Sequence, residues 1–340
     1  MTPIGQFCKK LFPFVYFPLE RLNNYFNRSI YVVDDLGYSF KKYVSEKNLE
    51  QVMVDLKVNL DDYSQKTVDI ISERVLNYPD KRYNVKVSPS KKNVIGGLLE
   101  EEKKEVSIGR MKTRGLVLEH KYIEESIFYY YHGLTLLPQG VRSYIENEDF
   151  IDLGAYVGDS AIALNAFHYR KIYSIEMSLS SIEKYILNLS ENNIPKAKYE
   201  ILNYAISSDK NLHIPNFSSG GLSLKKKVFK DKETVHVESK SLDEIIEQYQ
   251  IKPRFIKADI EGALMDCLTL GIASIKKFRP VLSLAIYHNP IEFFEAKPFL
   301  EKHLDNYVFL VRKLNSKIYN NHCHAETTLL AYPIEALRET

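Results

Sequence analysis

The fold of this chain is decided by one stretch of its sequence, Phe150-Ile151-Asp152-Leu153-Gly154-Ala155-Tyr156-Val157-Gly158-Asp159-Ser160. Its apolar residues predict a buried strand that ends in a carboxylate. A turn that contains two glycines follows, and then a helix capped near Asp159 or Ser160. A strand, a glycine turn and a helix in this order form a nucleotide site, in which backbone N–H groups and the helix N-terminus face the ligand.

The spacing of the acid and the two glycines indicates which ligand the turn binds. A dinucleotide fingerprint needs Gly-x-Gly-x-x-Gly and a P-loop needs Gly-Lys-Ser/Thr, and the stretch contains neither. An acid two residues before Gly154, with Gly158 four residues further on, is typical of S-adenosylmethionine sites. This ligand has an amino-acid part and a ribose, so we expect a carboxylate near its ammonium and a close backbone approach. The alternative is an ordinary tight turn between a strand and a helix.

Length, charge and cysteine content limit the classes of protein to which this chain can belong. A chain of 340 residues allows one large domain, or a catalytic domain with an N-terminal extension. A net charge of +2 does not suggest a nucleic-acid binder, so an RNA methyltransferase is disfavoured. Cys8, Cys267 and Cys323 are far apart in the chain, which implies no disulfide framework and fits a reducing cytoplasm. No span reaches the ~20 apolar residues of a membrane helix, so no integral membrane segment is expected.

The chain divides into two regions. Residues 1–130 look helical and irregular, and Val68, Ile71 and Val75 lie on one face of a predicted amphipathic helix. We expect this aromatic extension to cover the cofactor crevice or to mediate homodimer contacts. In the catalytic domain, residues 131–340, strands and helices alternate, which predicts a parallel sheet with helices on both faces. Strands are predicted at 150–153, 172–175, 199–202, 234–238, 255–258 and 281–286, and an antiparallel hairpin at 308–311 and 328–331.

A second acid, Glu176, lies at the distance along the chain that a nucleotide site beginning at Asp152 would require. Glu176 ends the second predicted strand, and an acid about 20 residues after such a glycine turn can accept both ribose hydroxyls. A lone glutamate at the end of a strand is more often a surface residue, but the spacing from Asp152 favours the ribose role. After the third strand, residues around Ala205 would flank the adenine ring. The predicted cofactor-binding residues are Asp152, Gly154, Ala155, Tyr156, Gly158, Asp159, Ser160, Glu176, Met177, Ala205 and Asp259.

The second motif is Ile256-Lys257-Ala258-Asp259-Ile260-Glu261-Gly262. Lys257, Asp259 and Glu261 alternate along it, so a strand would carry all three on one face. Charges at the carboxyl end of a central strand lie at the ligand crevice of such sheets. We therefore expect Lys257 and Asp259 to be catalytic. The alternative is a local ion pair between these two residues.

A histidine ends the next predicted strand, in Tyr287-His288-Asn289-Pro290. From this position His288 can face Asp259 and Glu261 across the crevice. It is predicted to be catalytic, either as a general base or, with the two carboxylates, as a ligand of a divalent cation. The alternative is a partly exposed structural histidine.

Together these motifs resemble the FkbM family of S-adenosylmethionine-dependent methyltransferases. The matching stretches are 150–160, 175–176, 241–243, 256–263, 280–281, 287–288 and 326–328. The resemblance implies a class I, Rossmann-like α/β fold with a seven-stranded, mostly parallel sheet. It also implies methyl transfer to oxygen, often on a sugar or a polyketide-like natural product. The family pattern often has an acid after Gly-Ala, where this chain has Leu264, so a third carboxylate is not expected there.

Two rival functions stay open at this point. A nicotinamide-dependent oxidoreductase on a similar sheet is disfavoured by the missing Gly-x-Gly-x-x-Gly. A non-catalytic S-adenosylmethionine-binding scaffold is disfavoured because the chain retains Lys257, Asp259 and Glu261. The expected partner is a small-molecule or glycan acceptor.

Overall fold

The structure, a computed structural model, describes residues 30–32, 35–76, 85–87, 124–210, 212–215, 234–314 and 325–338. Cys8, Cys323 and most of the first 34 residues of the predicted extension lie outside them. Within the described residues the strands are β1 (Ile30–Val32), β2 (Val85–Val87), β3 (Asp149–Leu153), β4 (Lys171–Ile175), β5 (Tyr199–Leu202), β6 (Ala205–Ile206), β7 (Leu212–Pro215), β8 (Thr234–Val237), β9 (Ser239–Lys240), β10 (Pro253–Ala258), β11 (Val281–Ala285), β12 (Tyr307–Lys313) and β13 (Thr327–Pro333). The α-helices are α1 (Asp35–Ser45), α2 (Leu49–Lys57), α3 (Asp62–Leu76), α4 (Glu125–Phe128), α5 (Gln139–Ile145), α6 (Asp159–Leu164), α7 (Leu179–Glu191), α8 (Leu242–Gln248), α9 (Leu264–Thr269), α10 (Ile272–Phe278) and α11 (Pro290–His303).

Seven strands form the central sheet, in the order β12-β13-β11-β10-β3-β4-β5. Neighbours from β11 to β5 pair in parallel, whereas β13 is antiparallel to both β11 and β12. The mostly parallel α/β sheet and the antiparallel C-terminal hairpin predicted from the sequence are therefore confirmed. Because β3, β4, β10 and β11 are parallel, their carboxyl ends lie at one edge of the sheet, where ligands bind in such folds.

The two faces of the sheet are covered by two separate apolar clusters. Phe150 of β3 and Phe255 of β10 belong to the cluster that includes residues of α5, α6 and α7. Ile151 and Ile256, one position further along the same strands, belong to the cluster that includes residues of α8, α9 and α11. Successive strand residues point to opposite faces, so both faces of each central strand are buried. This burial explains why Phe150-Ile151 and Phe255-Ile256 place apolar side chains at successive positions.

The three helices of the N-terminal region extend one of these clusters. Val68, Ile71 and Val75 of α3 are buried in it, which confirms the predicted apolar face. Helices α1 and α2 contact α11, and α3 contacts β12. The Ser64 hydroxyl, fully buried, accepts hydrogen bonds from the Val311 N–H at 2.8 Å and from the Arg312 guanidinium at 2.6 Å. Helices α1–α3 thus dock on the sheet side that carries α11.

Short pairings complete the fold. Strand β1 pairs with β2, β6 with β9, and β7 with β8. The pairing of β1 with β2 was not predicted, because strands of three residues carry too little alternation to be recognised. No helix in the described part of the chain is long and apolar enough to cross a membrane.

Candidate active site

The glycine turn after β3 is held between the ends of two neighbouring strands. Gly154 has a φ of 77°, and its N–H donates to the Ile175 carbonyl of β4 at 3.0 Å. A Cβ added to Gly154 would lie 2.0 Å from the Asp259 carbonyl oxygen. Only glycine combines this backbone conformation with this approach. The turn therefore packs directly on the backbone that follows β10.

Helix α7 supports the back of the turn. The Asn188 side-chain amide donates to the Val157 carbonyl at 2.8 Å. Gly158 has a φ of 85°, and a Cβ there would meet Leu189 at 2.6 Å. Gly158 and the buried Ala155 thus face protein rather than the cavity. Their predicted cofactor contacts do not fit this arrangement, because both residues shape the turn from behind.

A buried ion pair joins β10 to β3. Lys257 lies opposite Asp152 in the register of the two strands, and Lys257 Nζ is 2.9 Å from Asp152 Oδ1. The Asp152 side chain is fully buried and that of Lys257 is 5% exposed. Burial lowers the pKa of Lys257, but the carboxylates of Asp152 and Asp259 outweigh it, so the net pKa is raised and the ammonium stays charged. Lys257 also donates to the Gly154 carbonyl at 2.9 Å.

This pair corrects two expectations. The Asp152 carboxylate is buried against Lys257 and does not line the cavity, so a direct contact with the cofactor ammonium does not fit. The alternative of an ion pair between Lys257 and Asp259 is also wrong, because the Lys257 ammonium pairs with Asp152.

Glu176 presents a fixed carboxylate directly after β4. Its Oε2 accepts a hydrogen bond from the Tyr156 N–H at 2.9 Å, and its Oε1 accepts one from the Ser178 N–H at 2.8 Å. Burial raises the pKa of Glu176, and the two N–H donors oppose that rise. A carboxylate oxygen has more than one acceptor site, so each oxygen can accept a further hydroxyl. The position and the acceptor capacity fit the predicted ribose role.

A cavity of about 410 Å³ lies at the carboxyl edge of the sheet. Its volume falls within the roughly 300–1,000 Å³ of ligand pockets. The predicted residues that line it are Gly154, Tyr156, Asp159, Ser160, Glu176, Met177, Ala205, Lys257, Asp259 and Glu261. No residue of α1–α3 lines it, whereas Glu124, Ser126 and Ile127 do. The crevice is thus reached by α4 and the residue before it, at the end of the predicted extension, and not by α1–α3.

His288 lies among three carboxylates. Its Nε2 is 3.1 Å from Asp259 Oδ1 and 3.8 Å from Glu261 Oε2, and its Nδ1 is 3.6 Å from Glu292 Oε2. Burial alone lowers the pKa of His288, but the contacts with Asp259 and Glu292 raise it to about 10. The imidazolium expected at neutral pH has no nitrogen that can accept a proton. The predicted general-base role of His288 therefore does not fit this arrangement.

Asp259 remains ionised in this setting. Burial raises its pKa, but the contact with His288 and the charge of Lys257 outweigh burial and hold the pKa well below its usual range. The strand β10 ends at Ala258, and Glu261 has a φ of 51° in the turn that follows. The expectation that Lys257, Asp259 and Glu261 share one strand face is thus wrong for Glu261.

The structure does not support the predicted divalent-cation site at Asp259, Glu261 and His288. Among the described residues no group of three or more His, Cys, Asp or Glu side chains could hold a metal ion. The reason is local: His288 is itself the cation that lies against the two carboxylates.

Other cavity residues were not singled out from the sequence. The Tyr287 hydroxyl lies 3.2 Å from Glu326 Oε1 and 3.4 Å from Asp259 Oδ2, so its one proton can be donated to either carboxylate. His132 Nε2 lies 3.0 Å from the Ser160 hydroxyl, and burial lowers the pKa of His132 to about 3, so this imidazole is neutral. Tyr287 and Glu326 belong to stretches that carried the family resemblance. His132 precedes the sheet in an irregular connection, and no pattern in the sequence marked it as a site residue.

The sheet order and the glycine turn define a class I methyltransferase. The family model described as the methyltransferase FkbM domain matches residues 152–318. Residues 152–318 therefore form an FkbM methyltransferase domain, as the sequence motifs predicted.

A solved structure supports the fold, and two others are similar over part of the chain. The methyltransferase FkbM from Methylobacillus flagellatus KT aligns with a TM-score of 0.56 at 16% identity, over 86% of this chain and 61% of that chain. This chain thus matches about three fifths of that protein's length. An rRNA methylase from Streptococcus thermophilus aligns with a TM-score of 0.37 at 10% identity, over 60% of this chain and 94% of that chain. A methyltransferase from Streptococcus mutans in complex with SAH has a TM-score of 0.35 at 10% identity, over 56% and 93% of the two chains. No curated protein sequence shows significant similarity to this chain.

Proposed function

We propose that this protein transfers the methyl group of S-adenosylmethionine to a hydroxyl oxygen of a sugar, a glycan or a similar natural product. One observation carries the proposal. A single cavity runs from the glycine turn and Glu176 to a wall that contains Asp259, Tyr287 and Glu326. A cofactor site and an acceptor site are thereby joined at one sheet edge.

The cofactor half of the cavity lies over β3 and β4. Gly154 and Tyr156 bring backbone close to the ligand, and Glu176 offers two oriented oxygens to ribose hydroxyls. Asp159 is a buried carboxylate at the start of α6, which fits an ammonium. Met177 lies beside the proposed adenine position together with Ala205. When bound, S-adenosylmethionine would supply a methyl group already activated by its sulfonium.

The acceptor half lies over β10, β11 and β13. Asp259, Glu326 and the Tyr287 hydroxyl form a hydrogen-bonded group that lines the cavity. Carboxylates accept hydrogen bonds, and a phenol both donates and accepts them. A polyhydroxylated acceptor matches such a wall, because each of its hydroxyls can donate to a carboxylate.

Asp259 is the residue that we assign to the reacting hydroxyl. As an ionised carboxylate it can accept a hydrogen bond from the hydroxyl and fix the oxygen in line with the methyl group. The alkylated oxygen becomes strongly acidic as the new bond forms, so a weakly basic carboxylate can take the proton. Alignment of this kind can lower the barrier by about 7–11 kcal/mol.

His288 and Lys257 hold this arrangement in place. His288 orients the Asp259 carboxylate from outside the cavity lining. Lys257 keeps the end of β10 on the glycine turn through Asp152 and the Gly154 carbonyl. Lys257, predicted from the sequence to be catalytic, is thus assigned a positioning role. The cytoplasmic setting and the homodimer contacts expected from the sequence stay predictions.

The test is methyl transfer with isotope-labelled S-adenosylmethionine. The protein is incubated with nucleotide sugars and surface glycans of its host, and labelled products are identified by mass spectrometry and their linkage by NMR. We expect a label on oxygen, and its loss with Asp259→Asn. Transfer to nitrogen or carbon, or equal transfer by Asp259→Asn, would contradict the proposal.

A further inference from the structure

Glu292 is a buried carboxylate that the proposed mechanism does not yet use. It lies in the first turn of α11 and its side chain is 1% exposed. Burial of a carboxylate is costly unless the group is paired and hydrogen-bonded. Its contacts therefore indicate what it does.

The two oxygens of Glu292 contact two different parts of the site. Oε1 accepts a hydrogen bond from the Leu264 N–H at 2.9 Å, directly after the turn that contains Asp259 to Ala263. Oε2 lies 3.6 Å from His288 Nδ1. We call the turn at residues 259–263 the acceptor turn. The Glu292 side chain thus joins the acceptor turn to His288, the histidine that contacts Asp259.

Glu292 is itself rigidly placed. The Asn289 side chain caps α11 by accepting a hydrogen bond from the Glu292 N–H at 3.0 Å, and Pro290 occupies the first helical position. A negative charge in the first helical turn is favoured by the helix dipole. The carboxylate position is therefore set by backbone and not by a flexible loop.

We propose that Glu292 is a positioning residue for methyl transfer, which holds the His288 imidazolium against Asp259 and fixes the acceptor turn to α11. The proposal rests on the assignment of Asp259 to the reacting hydroxyl. The groups that face His288 are Asp259, Glu261 and Glu292, with the Tyr287 ring centroid 4.2 Å away. Without the Glu292 charge, Nδ1 loses its acidic partner and the ring no longer has one orientation that satisfies both nitrogens.

The test uses Glu292→Gln, which keeps the side-chain shape and an oxygen for the Leu264 N–H but removes the charge. NMR titration of His288 measures its protonation. We expect its pKa to fall by about 1–3 units, because one opposite charge is removed. We also expect kcat to fall up to about 100-fold through misalignment, with unchanged affinity for S-adenosylmethionine.

The matched control is Glu295→Gln, the same change one turn further along α11. Glu295 accepts from the Tyr43 hydroxyl at 2.6 Å and contacts Lys47, away from His288. We expect wild-type His288 protonation and wild-type kcat in this variant.

Each outcome bears on the proposal. Wild-type kcat and His288 protonation in Glu292→Gln would overturn it while methyl transfer itself stands. Absence of transfer to oxygen by the wild type would overturn the proposed function instead. If Glu292→Gln does not fold, the wild type can be tested instead. NMR should show His288 as an imidazolium at about pH 8, because its contacts with the carboxylates favour the charged ring. A neutral ring would refute the proposal.

Discussion

Replacement of Lys257 by methionine tests the buried pair that joins β10 to β3. The Asp152 carboxylate is fully buried, and the ammonium of Lys257 lies 2.9 Å from it. Lys257→Met keeps most of the side-chain volume, so little cavity is created. It leaves Asp152 without its cation and the Gly154 carbonyl without its Lys257 donor. Removal of one partner of a buried ion pair costs about 3–5 kcal/mol, and we expect this loss of unfolding free energy at about pH 8.

The pH dependence of this loss has a definite sign. Burial already raises the pKa of Asp152 in the wild type, and the ammonium of Lys257 opposes that rise. Without Lys257 the folded-state pKa lies further above the unfolded value. Such a group contributes stability at low pH, and that stability is lost as pH rises through the folded pKa. The deficit of Lys257→Met should therefore be smaller at about pH 5 than at about pH 8.

Urea unfolding of the wild type, Lys257→Met, Asp152→Asn and the double variant measures the pair as a double-mutant cycle. The double variant should be more stable than Lys257→Met alone, because its buried amide carries no charge. A deficit below about 1 kcal/mol, or one that is equal at both pH values, would refute the buried pair.

Three further predictions concern the turn, the chemistry and the N-terminal docking. Gly154→Ala should destabilise the protein by about 1–3 kcal/mol and weaken S-adenosylmethionine binding, because its Cβ would meet the Asp259 carbonyl at 2.0 Å. Thermal unfolding measures the loss of stability, and calorimetry measures the loss of binding. Asp259→Asn should lower turnover about 10²–10⁴-fold with cofactor affinity retained, and equal turnover would show that alignment does not need the carboxylate. Ser64→Ala should lower the unfolding free energy by about 1–3 kcal/mol, since the Val311 N–H loses its acceptor; an unchanged urea midpoint would contradict this docking.

The sheet could be predicted because its strands are buried on both faces. The mostly apolar segments 150–153 and 255–258 cannot remain exposed, and their alternation with helices leaves few possible sheet topologies. The acids at or just after the carboxyl ends of β3, β4 and β10 could be placed at one edge for the same reason. Periodicity and chain order are local properties, so one sequence suffices to recognise them.

Side-chain partners could not be predicted, because they depend on strand register and on distant contacts. Lys257 pairs with Asp152 since the two lie opposite each other in neighbouring strands, and no local pattern encodes that register. Glu261 leaves the strand face because the chain turns after Ala258. The charge on His288 depends in part on Glu292, whose position in α11 is indistinguishable by sequence from that of a solvated helix residue.

Calorimetric titration of S-adenosylmethionine into the wild type and into Glu176→Ala tests whether the cofactor binds at the glycine turn and Glu176. We expect binding to the wild type, no comparable binding of NAD, and a loss of about 1.5–3 kcal/mol in Glu176→Ala, because the carboxylate hydrogen bonds to ribose are removed. Equal affinity of S-adenosylmethionine for both proteins, with folding intact, would show that the cofactor binds elsewhere and would contradict the site described above.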